Sequence, residues 1–323
     1  MIKNISKLFY HKRPYSTKPT KYESYTKSWY EFEGLEKLSV TTTGIDSLDY
    51  QLKIKGLPEN HIIEIHGDSS SGKSTLSLYL LSQLQKQSHY TSVTKTKSLY
   101  IDTENSFNTE WAKLNGVDVS NCLVNQPNSF QEAIRLIQSY LQNNRNIKTE
   151  KKYIILDSLC ALPLSLSPKD QMAEISDALK MFSEMIRDSG STLILTNQLR
   201  FSIHDEEIMP FAKNLINNYI DISLQLQRDR YLVDKNNKII GTRNQISIQK
   251  NHLAHHSPDD YKTFKSLNLY KPTFDIYFKD GISMNNDIIT LSKMLNLTPL
   301  HSDQDLVDIQ QIRNQNKKLL KLL

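Results

Sequence analysis

Residues 67–74 read Gly-Asp-Ser-Ser-Ser-Gly-Lys-Ser, two glycines with four residues between them and then a lysine and a hydroxyl. The aliphatic run "HIIEIHG" leads into this stretch, and "TLSLYLLSQLQKQ" follows with leucines at helical spacing. A strand that breaks into a glycine-bounded turn and opens a helix is the context in which G-x-x-x-x-G-K-[ST] holds phosphate. The glycines let the backbone curl, so that N–H groups from Gly67, Asp68, Ser69, Ser70, Ser71 and Gly72 point inward, and the helix N-terminus adds its positive end. Lys73 then reaches the β and γ phosphates of ATP, the Ser74 hydroxyl ligates Mg²⁺, and Thr75 completes the nucleotide-binding set.

A metal-bound triphosphate calls for a second acid. Asp157 ends the apolar run of "YIILDS", where a carboxylate at a strand end holds a metal-bound water. Hydrolysis also needs a group that orients the attacking water. Glu104 closes "YIDTE" at the end of another apolar run, where ligands bind in open α/β sheets. On the residues alone it reads equally as an exposed loop carboxylate.

Alternating elements must carry these groups. Strands are predicted at 61–67, 98–104, 152–158 and 192–198. Helices are predicted at 75–87, at 129–144 opened by Ser129, and at 174–190 closed by Gly190. This alternation predicts an α/β fold with a mostly parallel twisted sheet flanked by helices. After residue 220 the stretches "YIDISLQLQR", "RNQISIQKN" and "TFDIYFKDG" predict a late antiparallel hairpin region, and residues 303–323 predict a helix with a basic end.

The chain has 323 residues, a length that suits one sizeable core with small additions. Mean hydropathy is −0.50, and no apolar run approaches the roughly 20 residues of a membrane helix, so a soluble chain with no membrane partner is expected. A net charge of +5 permits an anionic partner without requiring one. Cys122 and Cys160 lie too far apart for a disulfide framework; a reducing compartment and two small buried hydrophobes are expected. Residues 1–22 hold six lysines and arginines and no acid, with Ile2, Ile5, Leu8 and Phe9 at helical spacing. This composition predicts a transit peptide to the mitochondrial matrix, cut near Ser16 after Arg13, or else a disordered basic tail.

The segments "GLPENHIIEIHGDSSSGKSTL", "YIDTENSFNTEWAKLNGVDVSNCLVNQPNSFQEAI", "YIILDSLCAL", "LILTNQLR" and "GTRNQISIQKNHLA" follow one another as in bacterial RecA. From about Leu38 to Ser283 the chain resembles a RecA-type recombinase. The resemblance implies an ATPase core over 38–283, with a shortened N-terminal segment at 23–37 and a reduced C-terminal region at 284–323. It implies that Glu104 is the catalytic carboxylate, that Trp111 stacks on adenine and that Gln198 senses the γ-phosphate. Lys250 would reach across a subunit interface to the neighbour's phosphates. Two mobile DNA loops are implied at about Pro163–Ala173 and Leu199–Lys213. Arg200 would contact phosphate, Phe201 and Ile203 would wedge between bases, and Lys180 and Asn214 would join the DNA-facing set. His252 stands where the family has a second interfacial lysine, which makes that cation conditional on pH. The implied activity is DNA-dependent ATP hydrolysis by a helical filament that binds single-stranded DNA and pairs it with double-stranded DNA in repair. The alternative is an accessory ATPase of the same core that does not exchange strands. "HLAHH" at 252–256 matches no metal spacing and is expected to be a solvated turn.

Overall fold

The computed structural model describes residues 38–88, 95–145, 147, 150–161, 167–202, 207–254 and 270–294. The chain divides after Ser39, and the unit beginning at Val40 holds every element described below. A small antiparallel pair, β1 (Val40–Thr41) and β2 (Leu57–Pro58), brackets α1 (Asp46–Gln51). There follow β3 (Ile62–Gly67), α2 (Lys73–Ser88), β4 (Lys95–Asp102), α3 (Thr109–Leu114), β5 (Cys122–Asn125), α4 (Phe130–Asn144), β6 (Glu150–Asp157), α5 (Pro168–Ser189) and β7 (Ser191–Ser202). The chain continues through β8 (Glu207–Pro210), α6 (Lys213–Ile216), the long hairpin β9 (Ile222–Val233) and β10 (Ile239–Asn251), then β11 (Thr273–Tyr277), β12 (Gly281–Ser283) and α7 (Asn285–Met294).

Among the described residues, ten strands join in one sheet ordered β12-β11-β10-β9-β3-β7-β6-β4-β5, with β8 paired to β7 off that path. The strands from β9 to β5 are parallel, and β10, β11 and β12 add on antiparallel, as the sequence predicts. Strand residues alternate between two cores because successive side chains leave opposite faces. Ile63, Ile65, Tyr100, Tyr153, Ile155 and Ile194 pack with Leu76, Leu80 and Leu84 of α2 on one face. Ile62, Leu99, Ile101, Ile154, Leu156, Leu193 and Leu195 pack with α4 and α5 on the other. Burial on both faces explains why these strands read as continuous aliphatic runs. At the far edge, α7 docks on α1 through Asp287, which accepts hydrogen bonds from the backbone N–H and the hydroxyl of Ser47.

Several sequence expectations need correction. Helix α5 begins at Pro168, not at residue 174, so the second half of the first predicted DNA loop is helical. Ser167 caps it by accepting from the Asp170 N–H at 3.4 Å, with proline in the first turn; "SPKD" is a helix-start signal read too late. The second predicted loop is in part an antiparallel hairpin. Strand β7 runs on past Gln198, and Arg200 and Phe201 face Met209 and Ile208 of β8. The alternating "LRFS" and "EIMP" satisfy each other's backbone groups instead of leaving them to solvent. Cys122 and Cys160 are half-buried, not enclosed. Residues 1–37, with the predicted transit peptide, and the helix expected at 303–323 lie outside the described residues, as does Ile203. Among the described residues no helix is long and apolar enough to cross a membrane.

Candidate functional site

The parallel strands bring their C-terminal ends to one edge, and register decides which side chains meet there. Gly67 of β3 lies beside Gln198 of β7, and Asp102 of β4 lies beside Asp157 of β6. The turn after β3 then curls into α2. Gly67 has no room for a side chain: a Cβ would stand 2.1 Å from the Leu226 carbonyl oxygen of β9. Gly72 sits at φ +90°, a left-handed value that favours glycine. Between them Asp68, Ser69 and Ser70 are exposed, and Ser71 is buried.

Lys73 is buried, and its ammonium donates to the Gly67 and Asp68 carbonyls at 3.1 and 2.7 Å. Burial pulls it below the ordinary lysine range, while the charges of Asp157 and Glu104 oppose that shift. Asp157 is buried and doubly oriented: the Tyr100 hydroxyl donates to one carboxylate oxygen and the Thr196 hydroxyl to the other. Glu104 is exposed, and its carboxylate accepts from the Ser158 hydroxyl at 2.8 Å and from the Gln198 amide at 3.0 Å. Lys73, Glu104, Asp157 and Gln198 thus gather from four segments at one sheet edge. Trp111, on α3, is partly buried against the core and donates from its indole nitrogen to the Thr75 hydroxyl at 3.1 Å. Ser74 is half-buried on the first turn of α2.

Four residues that hold this edge together were not singled out from the sequence. Thr103 ties the turns after β4 and β6 to each other: its hydroxyl donates to the Ser158 carbonyl at 2.8 Å and accepts from the Ser158 N–H at 2.6 Å. Asp102 folds the segment after Glu104 by accepting from the Ser106 and Phe107 N–H groups. Ser158 and Thr196 complete the set. Their signal was available: each is a polar residue in or just past the end of an aliphatic strand.

The residues suit a magnesium-bound triphosphate. The Ser71 hydroxyl is buried inside the loop with no hydrogen-bond partner, an orphan group that a phosphate oxygen would satisfy. Ser74 and Asp157 offer the hard oxygen donors that Mg²⁺ takes beside water and phosphate. No group of three or more His, Cys, Asp or Glu among the described residues could hold a metal by itself.

The residues predicted to face DNA are brought together only in part. Arg200, Phe201 and Asn214 line one groove of about 530 Å³ with Met172 of α5 and Phe211. The Arg200 guanidinium lies 4.6 Å from the centre of the Phe211 ring and donates to the Cys160 carbonyl at 3.2 Å. Phe201 is 64% exposed and Ile208 beside it 69%, an unusual outlay of apolar surface for one short hairpin. Lys180 is exposed on α5 and does not line this groove. Lys250 and His252 line a separate polar groove of about 360 Å³ with Glu64 and His66. The Lys250 ammonium donates to the Asn217 and Ile220 carbonyls at the end of α6, and His252 is exposed.

Comparison with known proteins finds relatives over most of the chain. The chain is 27% identical over 273 residues to Protein RecA of Delftia acidovorans, covering 81% of this chain and 68% of that one. It is 28% identical over 268 residues to Protein RecA of Anaplasma marginale, covering 79% and 68%. With Protein RecA of Helicobacter acinonychis the identity is 28% over 276 residues, covering 81% and 72%. The RecA N-terminal domain matches residues 32–283, most of the chain and all of the sheet, and the chain therefore belongs to the RecA family.

Proposed function

We propose that this chain is an ATP-dependent DNA recombinase. It binds ATP with Mg²⁺ at residues 67–75, assembles on single-stranded DNA as a helical filament, and pairs that strand with double-stranded DNA. The observation that carries the reading is the Glu104–Gln198 hydrogen bond of 3.0 Å. A carboxylate able to take a proton from the attacking water is thereby joined to the strand that, two residues later, bears Arg200 and Phe201. Lys73 exchanges the Gly67 and Asp68 carbonyls for phosphate oxygens and stabilises the charge that develops on them. Bound Mg²⁺ would add Lewis-acid neutralisation of the phosphates. Trp111 offers its ring to the base. Gln198 is a neutral amide that can turn from Glu104 to a terminal phosphate and back, so occupancy of the site changes what holds the base of the hairpin. Lys250 would act on the neighbouring subunit's nucleotide after leaving the carbonyls of Asn217 and Ile220.

A second reading has an observation in its favour. The second predicted DNA loop is in part a paired hairpin, and Lys250 is engaged within its own chain, as suits an accessory ATPase that does not exchange strands. Gel-shift and D-loop assays with a slowly hydrolysed ATP analogue separate the two. D-loops support the recombinase. Nucleotide-dependent DNA binding without D-loops supports the accessory ATPase, and DNA binding indifferent to nucleotide contradicts both. The acid-free composition of residues 1–22 supports location in the mitochondrial matrix. A reporter fused to residues 1–30 would report it, and a diffuse cytosolic signal would leave only a basic tail.

A further inference from the structure

Glu64 is a carboxylate in the middle of β3 with only 5% of its surface exposed, a costly place for a charge unless it has work to do. Its partners account for it. One oxygen accepts from the Asn197 amide at 2.9 Å, and the other accepts from the Ser223 hydroxyl at 2.7 Å and lies 3.3 Å from His66 Nδ1. Burial alone would raise Glu64, but the bonds and charge from His66, with the bonds from Asn197 and Ser223, outweigh it and pull it below the usual carboxylate range.

Asn197 is wholly buried and immediately precedes Gln198. The same amide nitrogen that reaches Glu64 also donates to the Phe211 carbonyl at 2.9 Å. Its oxygen accepts from the Gln198 N–H at 2.9 Å, and the Phe211 N–H donates to the Gln198 carbonyl at 2.9 Å. Phe211 closes the β7–β8 hairpin, and its ring carries the Arg200 guanidinium. One amide therefore pins both ends of the hairpin's base to a fixed anion in β3, the strand that runs into the phosphate loop.

We infer that Asn197, held by Glu64, is the positioning residue that converts the state of Gln198 into the placement of the Arg200–Phe201 hairpin. This rests on the proposed nucleotide-dependent binding of single-stranded DNA. Neither side chain lies in the phosphate loop of residues 67–74. When Gln198 turns, its backbone is free to move only as Asn197 permits. With Asn197 pinned, motion at the side chain of residue 198 is transmitted along β7 to residues 200 and 201. With the pin removed, the hairpin base slackens and the signal is lost locally.

The test compares affinity for a fluorescent single strand with and without a slowly hydrolysed ATP analogue, alongside analogue affinity and DNA-free ATP turnover. Wild type should bind DNA more tightly with the analogue by a factor in the ordinary range of allosteric coupling, about 5- to 150-fold. In Asn197→Ala that ratio should fall below about twofold while analogue affinity and DNA-free turnover stay within about threefold of wild type. Glu64→Gln keeps volume and an acceptor but loses the charge, and should cut the ratio by about half on a logarithmic scale. It also provides the answer if Asn197→Ala does not fold. A wild-type ratio in either folded variant overturns the inference, as does a parallel loss of analogue affinity and turnover, which a merely structural role would produce. A wild type whose DNA affinity ignores the analogue instead contradicts the proposed function.

Discussion

The sheet edge around Lys73 and the hairpin around Arg200 lie two residues apart at Gln198, yet they are built differently. The edge draws Lys73, Glu104, Asp157 and Gln198 from four separate segments, and each is fixed by a neighbour: Asp157 by Tyr100 and Thr196, Glu104 by Ser158 and Gln198. The hairpin is one local segment with Arg200 and Phe201 exposed, anchored at its base by Phe211. Chemistry demands positions held within fractions of an ångström, so it sits where several strands over-determine them. Reading a DNA backbone without regard to sequence demands charge and apolar surface that can adapt, and an exposed hairpin suits that.

The largest expected effect lies on the rigid side. Lys73→Ala should reduce ATP hydrolysis to background, a loss of at least about 10³-fold in phosphate release, because it removes the loop cation proposed to stabilise the charge on the β and γ oxygens. Residual turnover within tenfold of wild type would show that the loop is not the reacting site. On the adaptable side effects should be smaller. Arg200→Ala should weaken single-stranded DNA binding evenly across sequences and lower the salt slope of log K by about 0.7. Phe201→Ala should cost about 1–3 kcal/mol with little change in that slope. A salt slope unchanged by Arg200→Ala would remove it from the phosphate contacts.

A further effect is expected in neither region but at the edge of the core. Burial, chiefly, raises the Asp287 carboxyl to about 7, against partial relief from its bonds to Ser47. Its folded value lies above the unfolded one, so the fold holds this proton more tightly. The contribution is fully present in acid and is lost as pH rises from about 4 through about 7. Asp287→Asn should therefore raise Tm by about 4 °C at pH 8 and by much less at pH 4. Equal shifts at both pH values would show that the carboxyl is not neutral in the fold. The smallest effect is expected at His252, exposed beside Lys250. If it meets the neighbour's phosphates, His252→Lys should raise DNA-stimulated hydrolysis at pH 8 by about two- to fivefold, because lysine brings a full charge to that contact. Unchanged hydrolysis would leave it a solvated turn residue.

The same contrast governs what the sequence made legible. Buried parallel strands must be aliphatic on both faces, and the groups at their ends are polar, so the parallel order, the phosphate loop and Asp157 could be read directly. The roles proposed for Glu104 and Gln198 rest on family resemblance, because a carboxylate or amide after a strand carries no mark of its partner. The hydrogen bond between them depends on register across β4, β6 and β7, which no local pattern encodes. The supporting groups Thr103 and Ser158 were missed for the same reason: their bonds cross 55 residues of sequence. The hairpin was misread for the opposite reason. "LRFSIHDEEIMP" lacks a tight-turn signature, and its pairing follows from the extension of a strand whose end had been set at residue 198. The early start of α5 is encoded in "SPKD", against the loop that the family resemblance implies there.

A titration of ATP turnover with single-stranded DNA tests most directly whether hydrolysis at the sheet edge answers to DNA at the hairpin. Wild-type turnover should rise with DNA and saturate. Glu104→Gln should bind ATP and DNA yet remain about 10²–10⁴-fold slower at every DNA concentration, since an amide cannot accept the proton of the attacking water. Turnover indifferent to DNA in the wild type, or a Glu104→Gln curve that overlies it, would contradict the account.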